Sequence, residues 1–315
     1  MHHFSCSKPL QRVLVDFGAD NSFAKACQKV KEHYGVEISA STVRKQTETH
    51  AKQMYQQAQE PLEIPQRAGF KQQIAEMDAC MLPIMTADEN APDKRKKKKL
   101  HWKAATLALA HKKGSVTPKF GAVFQGDVAD AGRCLRNSAI LAGFGQQTRL
   151  HAVGDGATWI AKQFELQFGE RGSYLVDFYH VCEYLAAASP HCVSDSKLAK
   201  AWVEQQKQAL KNNEYTKVIA ALKPYLEAED IVDKQAPVRA CHRYLSNRTE
   251  QLDYKTAIEQ ELPIGSGEIE SAHRYVIQKR MKLPGAWWKS ENVDSMLALR
   301  VLRANEQWDA YWAAA

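Results

Sequence analysis

The chain has 315 residues, 44% of them hydrophobic and 25% charged, with a formal net charge of +7. No run reaches the roughly 18 apolar residues of a membrane span, and the start MHHFSCSKPLQRV lacks the apolar segment of a secretory signal. The seven cysteines stand singly, without CxxC pairs or zinc-type Cys/His spacing, which argues against a disulfide scaffold or structural zinc. The expected compartment is the cytoplasm, with reduced thiols. The excess of positive charge leans toward a polyanionic partner.

Residues 20–54 read as two amphipathic helices around a tight turn, DNSFAKACQKVKEHYGV and EISASTVRKQTETHAKQM. Phe23, Ala26, Cys27 and Val30 recur at helical spacing, Gly35 suits the turn, and Ser39 or Ser41 suits the next N-cap. This is a helix-turn-helix pattern. Its second helix begins with Ser41, Thr42, Arg44 and Lys45, short polar and basic side chains of the kind that enter a major groove. The alternative use is a helical hairpin for packing or dimerisation. Residues 1–54 are therefore expected to be a DNA-binding region, and 55–69, with two prolines and little periodicity, a linker.

From residue 70 the elements alternate. QQIAEMDACMLPIM, KAATLALAH and PKFGAVFQG read as three strands, the first two separated by the charged DENAPDKRKKKKLHW; VADAGRCLRNSAILAGF follows as a helix. TRLHAVGD, ATWIAKQFELQF, GSYLVDF and YHVCEYLAAAS then continue as strand, helix, strand, helix. A meander followed by right-handed crossovers predicts an α/β fold: a mixed five-stranded RNase H-like sheet with helices on both faces. Its first part spans 70–184. Residues 185–262 read as a helical insertion, and 263–315 as a further helix, EIESAHRYVIQKRM, with a C-terminal helical region.

Asp155 closes the fourth strand, where open sheets place their ligands, and Asp78 lies within the first, between Met77 and Met81. A carboxylate in a half-buried strand is costly unless it is paired or binds a cation. The first and fourth strands are expected to be neighbours, so the two aspartates can face one another across a divalent ion. Two Mg²⁺ ions roughly 4 Å apart would activate an attacking oxygen and stabilise a leaving oxygen in phosphoryl displacement. A third carboxylate comes from the last helix as Glu268 or Glu270. These lie about 200° apart on the helix, so only one can face the site, and spacing does not choose.

HAVGDGATWI, YLVDFYHVCEYL, LPIGSGEIESAHRYVIQKRMKLPG and MLALRVLRANEQWDAYW together resemble the ISKra-type insertion-sequence transposases, a bacterial family of DDE enzymes. The resemblance covers most of the chain. It implies an RNase H-like catalytic domain whose acidic triad, with two Mg²⁺ or Mn²⁺, cuts and rejoins DNA at the ends of a mobile element. By position the triad falls on Asp78, Asp155 and Glu270; 115 residues separate the last two, which fits a helical insertion. Ala79 stands where glycine is common in the family, and GAWW at 285–288 departs from its usual pattern. The implied partners are double-stranded DNA, as terminal inverted repeats and target, and a second copy of the chain, since two ends must meet. That would place the protein with the nucleoid.

Around this triad, Asp177, His180 and Glu183 read either as a helix start capped by Asp177 or as a cluster supporting the metals or contacting DNA. Ser266, Glu268, His273 and Arg274 belong to the same neighbourhood. Lys94, Arg95, Lys96, Lys97, Lys98 and Lys99 are expected to contact phosphates; neutralising about four would give a log–log salt slope of roughly −3.6. Lys279, Arg280 and Lys282 extend that charge. Trp287 and Trp288 are candidates for stacking on opened bases, whereas Trp308 and Trp312, four apart, are expected to pack in a core. Two rival readings are a helix-turn-helix regulator with an inactive catalytic domain and another RNase H-like DNA nuclease.

Overall fold

The computed structural model describes residues 6–58, 60–87 and 98–315. It opens with helices α1 (Lys8–Asp20), α2 (Phe23–Tyr34) and α3 (Ala40–Ala58). Gly35 caps α2 in the left-handed conformation, at φ +66°, and the Ser39 hydroxyl accepts from the Thr42 amide at the start of α3. Strands β1 (Gln72–Ala87), β2 (Lys98–Lys112) and β3 (Lys119–Val123) follow, then α4 (Val128–Leu141), β4 (Arg149–Gly154), α5 (Thr158–Phe168), β5 (Gly172–Val176) and α6 (Phe178–Cys192).

These strands form one open mixed sheet in the order β3-β2-β1-β4-β5, antiparallel from β3 to β1 and parallel from β1 to β5. Alternation along the strands builds two cores. Leu82, Ile84, Leu107 and Leu109 point to one face; Ala75, Met77, Ala108 and Ala110 point to the other, where Leu135 of α4 and Phe164 of α5 cover them. β4 accompanies β1 only from Gln72 to Glu76. Beyond that point Trp288 takes up the open edge of β1, its amide donating to the Pro83 carbonyl and its carbonyl accepting from the Met85 amide. Asp78 thus lies where β1 loses its parallel neighbour.

A helical segment comes next, α7 (Ser196–Lys211), α8 (Tyr215–Leu222), α9 (Pro237–Ser246) and α10 (Tyr254–Glu259), which packs on α6 through Val181, Leu185, Leu210, Val218, Cys241, Leu245 and Tyr254. α6 runs without a break across the expected boundary at 184/185. The chain then returns as α11 (Gly267–Ala272), a π-helical turn (His273–Gln278) and α12 (Lys279–Met281), before α13 (Ser290–Ala304) and α14 (Trp308–Ala314).

The N-terminal helices do not stand apart. Leu14, Ala26, Val30 and Val43 make a small core of their own, but Val15, Ala19, Ala51 and Met54 join the main core with Ile269, Val276 and Leu297. Arg303 pairs with Asp16 at 2.9 Å, and the His50 ring meets the Tyr311 hydroxyl at 2.7 Å. Trp308 and Trp312 pack partly buried against this core, with Trp312 against His50. All seven cysteines are free thiols.

Candidate active site at the carboxyl edge of the sheet

Strand register sets the site. Glu76 pairs with Val153, and Gly154 with Val176. Carried on by one or two residues past these last pairs, that register would set Asp78 of β1 level with Asp155 and Asp177, which directly follow β4 and β5. Alternation gives Asp78 the face of Glu76, which is the face α11 covers, while Asp155 and Asp177 follow the last residues of β4 and β5.

Asp155 is exposed, and its Oδ1 accepts from the Ala157 amide at 2.8 Å, so the carboxylate shapes the turn into α5. The glycines on either side have a steric reason. A Cβ on Gly154 would lie 2.6 Å from the Tyr174 hydroxyl, and one on Gly156, which sits at φ +80°, 2.6 Å from the Tyr244 hydroxyl and 2.7 Å from Arg248 Nε.

Carboxylates of the sheet also anchor α11. A helix start leaves amides without partners, and Ser266, the cap residue, offers no side-chain bond to them. Buried Glu76 accepts the Ile269 amide at 2.7 Å instead. Burial, opposed by that bond and reinforced by nearby Glu268, Asp177 and Glu270, pushes the Glu76 carboxyl up to about 8, so it is neutral near pH 7. Asp177 accepts four bonds: Tyr179 and His180 amides on Oδ1, at 2.6 and 3.1 Å, and the Ser266 amide and hydroxyl on Oδ2, at 2.7 and 2.5 Å. It caps α6 and ties the loop before α11 to β5. The same loop is held by the buried His151 ring, 2.8 Å from the Pro263 carbonyl, and by the Phe178 amide donating to the Ile264 carbonyl.

The two glutamates of α11 diverge. Glu268 pairs with His111 of β2 at 2.9 Å, on the side of β1 away from β4. Burial lowers the His111 pKa, but the Glu268 carboxylate outweighs it, and the net shift is upward. Ile269 and Ala272 face the sheet, so Glu270 falls on the flank opposite Glu268. His273, three residues after Glu270, reaches Asp78, with Nε2 3.5 Å from Oδ2, an ion-pair contact longer than a good hydrogen bond. Burial lowers the His273 pKa, and Asp78 and Cys80 more than reverse this, taking it to about 9. Glu270 is exposed, and its side chain makes no ion pair or hydrogen bond with the described residues.

His180 and Glu183 pair with each other at 3.3 Å on α6, and the His180 ring lies edge-on to Tyr184 and Tyr244. Ser41, Arg44 and Lys45 are exposed and Thr42 half-buried along the first turns of α3, where they line a groove of about 1090 Å³ shared with Glu291, Asn292 and Ser295 of α13. Lys98 and Lys99 stand exposed at the start of β2, whereas Lys94, Arg95, Lys96 and Lys97 lie outside the described residues. Arg274 and Lys279 are exposed and Lys282 half-buried.

Two expectations fail. Arg280 is not a surface charge: it is 3% exposed, donates from Nε to the Gly18 carbonyl at 3.0 Å, and lies between the rings of Phe23 and Trp288. Burial, with nearby Arg300, lowers its pKa to about 10. Trp288 is equally unavailable for stacking on bases, being 7% exposed with Nε1 bound to the Met281 carbonyl; Trp287 stays exposed. Gly18 of α1 and Phe23 of α2 lie against Arg280, and Trp288 is held to β1 through its backbone.

Sequence reading passed over Glu76, Tyr244 and Arg248. The first had a signal, since it shares the strand face of Asp78 two residues away; the other two come from the helical segment and had none. The oxygen donors of Asp78, Asp155 and Glu270 suit a hard cation such as Mg²⁺. Among the described residues no three His, Cys, Asp or Glu side chains already converge as a metal-holding group.

No helix among the described residues is long and apolar enough to cross a membrane. No curated protein matches the chain. Residues 145–310 match the model of an uncharacterised protein family, UPF0236, a stretch that contains Asp155, Asp177, Glu268 and Glu270 but not Asp78. The match covers more than half of the chain, and the protein belongs to this family.

Proposed function

We propose that this protein is a DDE-type DNA transposase with an RNase H-like catalytic fold, similar to the ISKra-type enzymes. The observation that carries the reading is the common level of Asp78 and Asp155 at the ends of the parallel pairing of β1 and β4, with Glu270 on the adjacent flank of α11. Strand order and direction agree with an RNase H-like sheet. Asp78, Asp155 and Glu270 would hold two Mg²⁺ ions, which supply activation of the attacking oxygen and neutralisation of the leaving one. Glu76 and Asp177 set the helix that carries Glu270, and His273 sets Asp78. Water first attacks a phosphodiester at the element end and releases a 3′-hydroxyl; that hydroxyl then attacks a target phosphodiester and displaces another 3′-oxygen. Neither step needs a side-chain nucleophile, since positioning and charge neutralisation carry phosphoryl transfer. Ser41, Thr42, Arg44 and Lys45 would read the inverted repeats, with Lys98 and Lys99 on phosphates.

The test is cleavage of labelled DNA carrying the element end, in Mg²⁺ or Mn²⁺, by the wild type and by Asp155→Asn. Nicking at the element boundary by the wild type alone, with binding retained by the variant, is expected. Binding without cutting by both proteins would instead favour a DNA-binding regulator.

A further inference from the structure

The geometry points to Tyr244 and Arg248 of the helical segment as positioning residues for Asp155. The Tyr244 hydroxyl donates to the Asp155 carbonyl at 2.6 Å, and Arg248 Nε donates to the Gly156 carbonyl at 2.9 Å. Consecutive peptide groups of the turn are thereby held from outside the sheet. On the inner side the Gly156 amide donates to the Tyr174 hydroxyl at 3.1 Å. The turn is gripped between β5 and the helical segment, and Gly156 is the residue that lets both approach, since any side chain there would displace the two clamping groups.

The clamp is itself supported. Arg248 Nη1 bonds the Tyr244 carbonyl at 3.0 Å, its guanidinium lies 4.1 Å from the centre of the Tyr244 ring, and Tyr184 of α6 stacks on the other member of the pair with ring centres 4.2 Å apart and planes 19° from parallel. Holding a carboxylate to within a fraction of an ångström is what a catalytic turn requires, and loops gain that precision from a second layer of contacts. The turn itself supplies little of it: Asp155 is exposed, and among the described residues its side chain bonds only the Ala157 amide. On this inference the helical segment completes the site rather than merely interrupting the chain. The catalytic consequence rests on the transposase reading of Asp155; the mechanical one does not.

The experiment compares the full-length wild type with Tyr244→Phe and Arg248→Lys. Phenylalanine keeps the stack on Tyr184 and loses the hydroxyl; lysine keeps the charge and loses the Nε contact. Amide exchange at Gly156 and Ala157 is read by NMR or mass spectrometry, and turnover, DNA KM and Mg²⁺ requirement in the cleavage assay. Each variant is expected to exchange these amides about tenfold faster and to turn over about tenfold more slowly, from the loss of one hydrogen bond, with a higher Mg²⁺ requirement and an unchanged KM. Unchanged exchange in both variants overturns the clamp. Faster exchange with wild-type turnover overturns its role in positioning Asp155, and an Arg248→Lys variant as active as wild type assigns Arg248 to charge alone. A wild type that exchanges slowly but never cuts DNA defeats the transposase reading while leaving the clamp standing.

Discussion

Replacing Glu76 by glutamine should remove most of a pH-dependent loss of stability. The wild-type carboxyl is raised from 4.5 to about 8 in the folded protein, chiefly by burial. Between those pH values the folded state keeps a proton that the unfolded chain has released, so stability falls as pH rises, by about 1.4 kcal/mol per unit. Across the window the loss approaches ~5 kcal/mol and is complete above the folded pKa. Glutamine keeps an acceptor for the Ile269 amide and does not titrate. Urea denaturation at intervals from pH 5 to 9 gives the difference between Glu76→Gln and wild type. It should lie within about 1 kcal/mol of zero at pH 5 and grow to several kcal/mol in favour of the variant at pH 9. His111 and His273, both shifted upward, are common to both proteins, and their contributions largely cancel. Parallel curves would refute the argument that Glu76 is held as a neutral acid beneath α11.

Glu270→Gln should abolish strand cleavage by at least a hundredfold, the scale of losing a metal ligand or its support, while Glu268→Gln keeps turnover near wild type; the reverse pattern would exchange their roles. Glu268→Gln should also lower the pKa of His111, whose charged form it supports, as read by NMR titration. Asp177→Ala strips four hydrogen bonds from the start of α6 and from Ser266, and chemical denaturation should show a loss of about 2–4 kcal/mol. Arg280→Met should change stability while leaving the salt slope of DNA binding as in wild type, because the guanidinium is buried between Phe23 and Trp288; a slope shallower by about 1 would return Arg280 to the phosphate contacts.

The order of elements was legible because it rests on local periodicity: alternation in residues 72–85 and 103–111, helical spacing from Phe23 to Val30, and the strand end at Asp155 each depend on near neighbours. So was the adjacency of β1 and β4, which follows from a meander joined to right-handed crossovers. Long-range packing decided the rest. Glu268 and Glu270 have equivalent places in the first turn of α11, and only the contact with His111 of β2 tells which flank each one faces. Arg280 reads as one more cation after Glu270 until Gly18 and Phe23, more than 250 residues earlier in the chain, close over it. Tyr244 and Arg248 carry no local mark, since their hydrogen bonds reach 89 and 92 residues back to the turn at Asp155. Local sequence sets backbone conformation within a few residues, whereas burial and side-chain direction depend on which distant surfaces meet, and that is settled only when the whole chain packs.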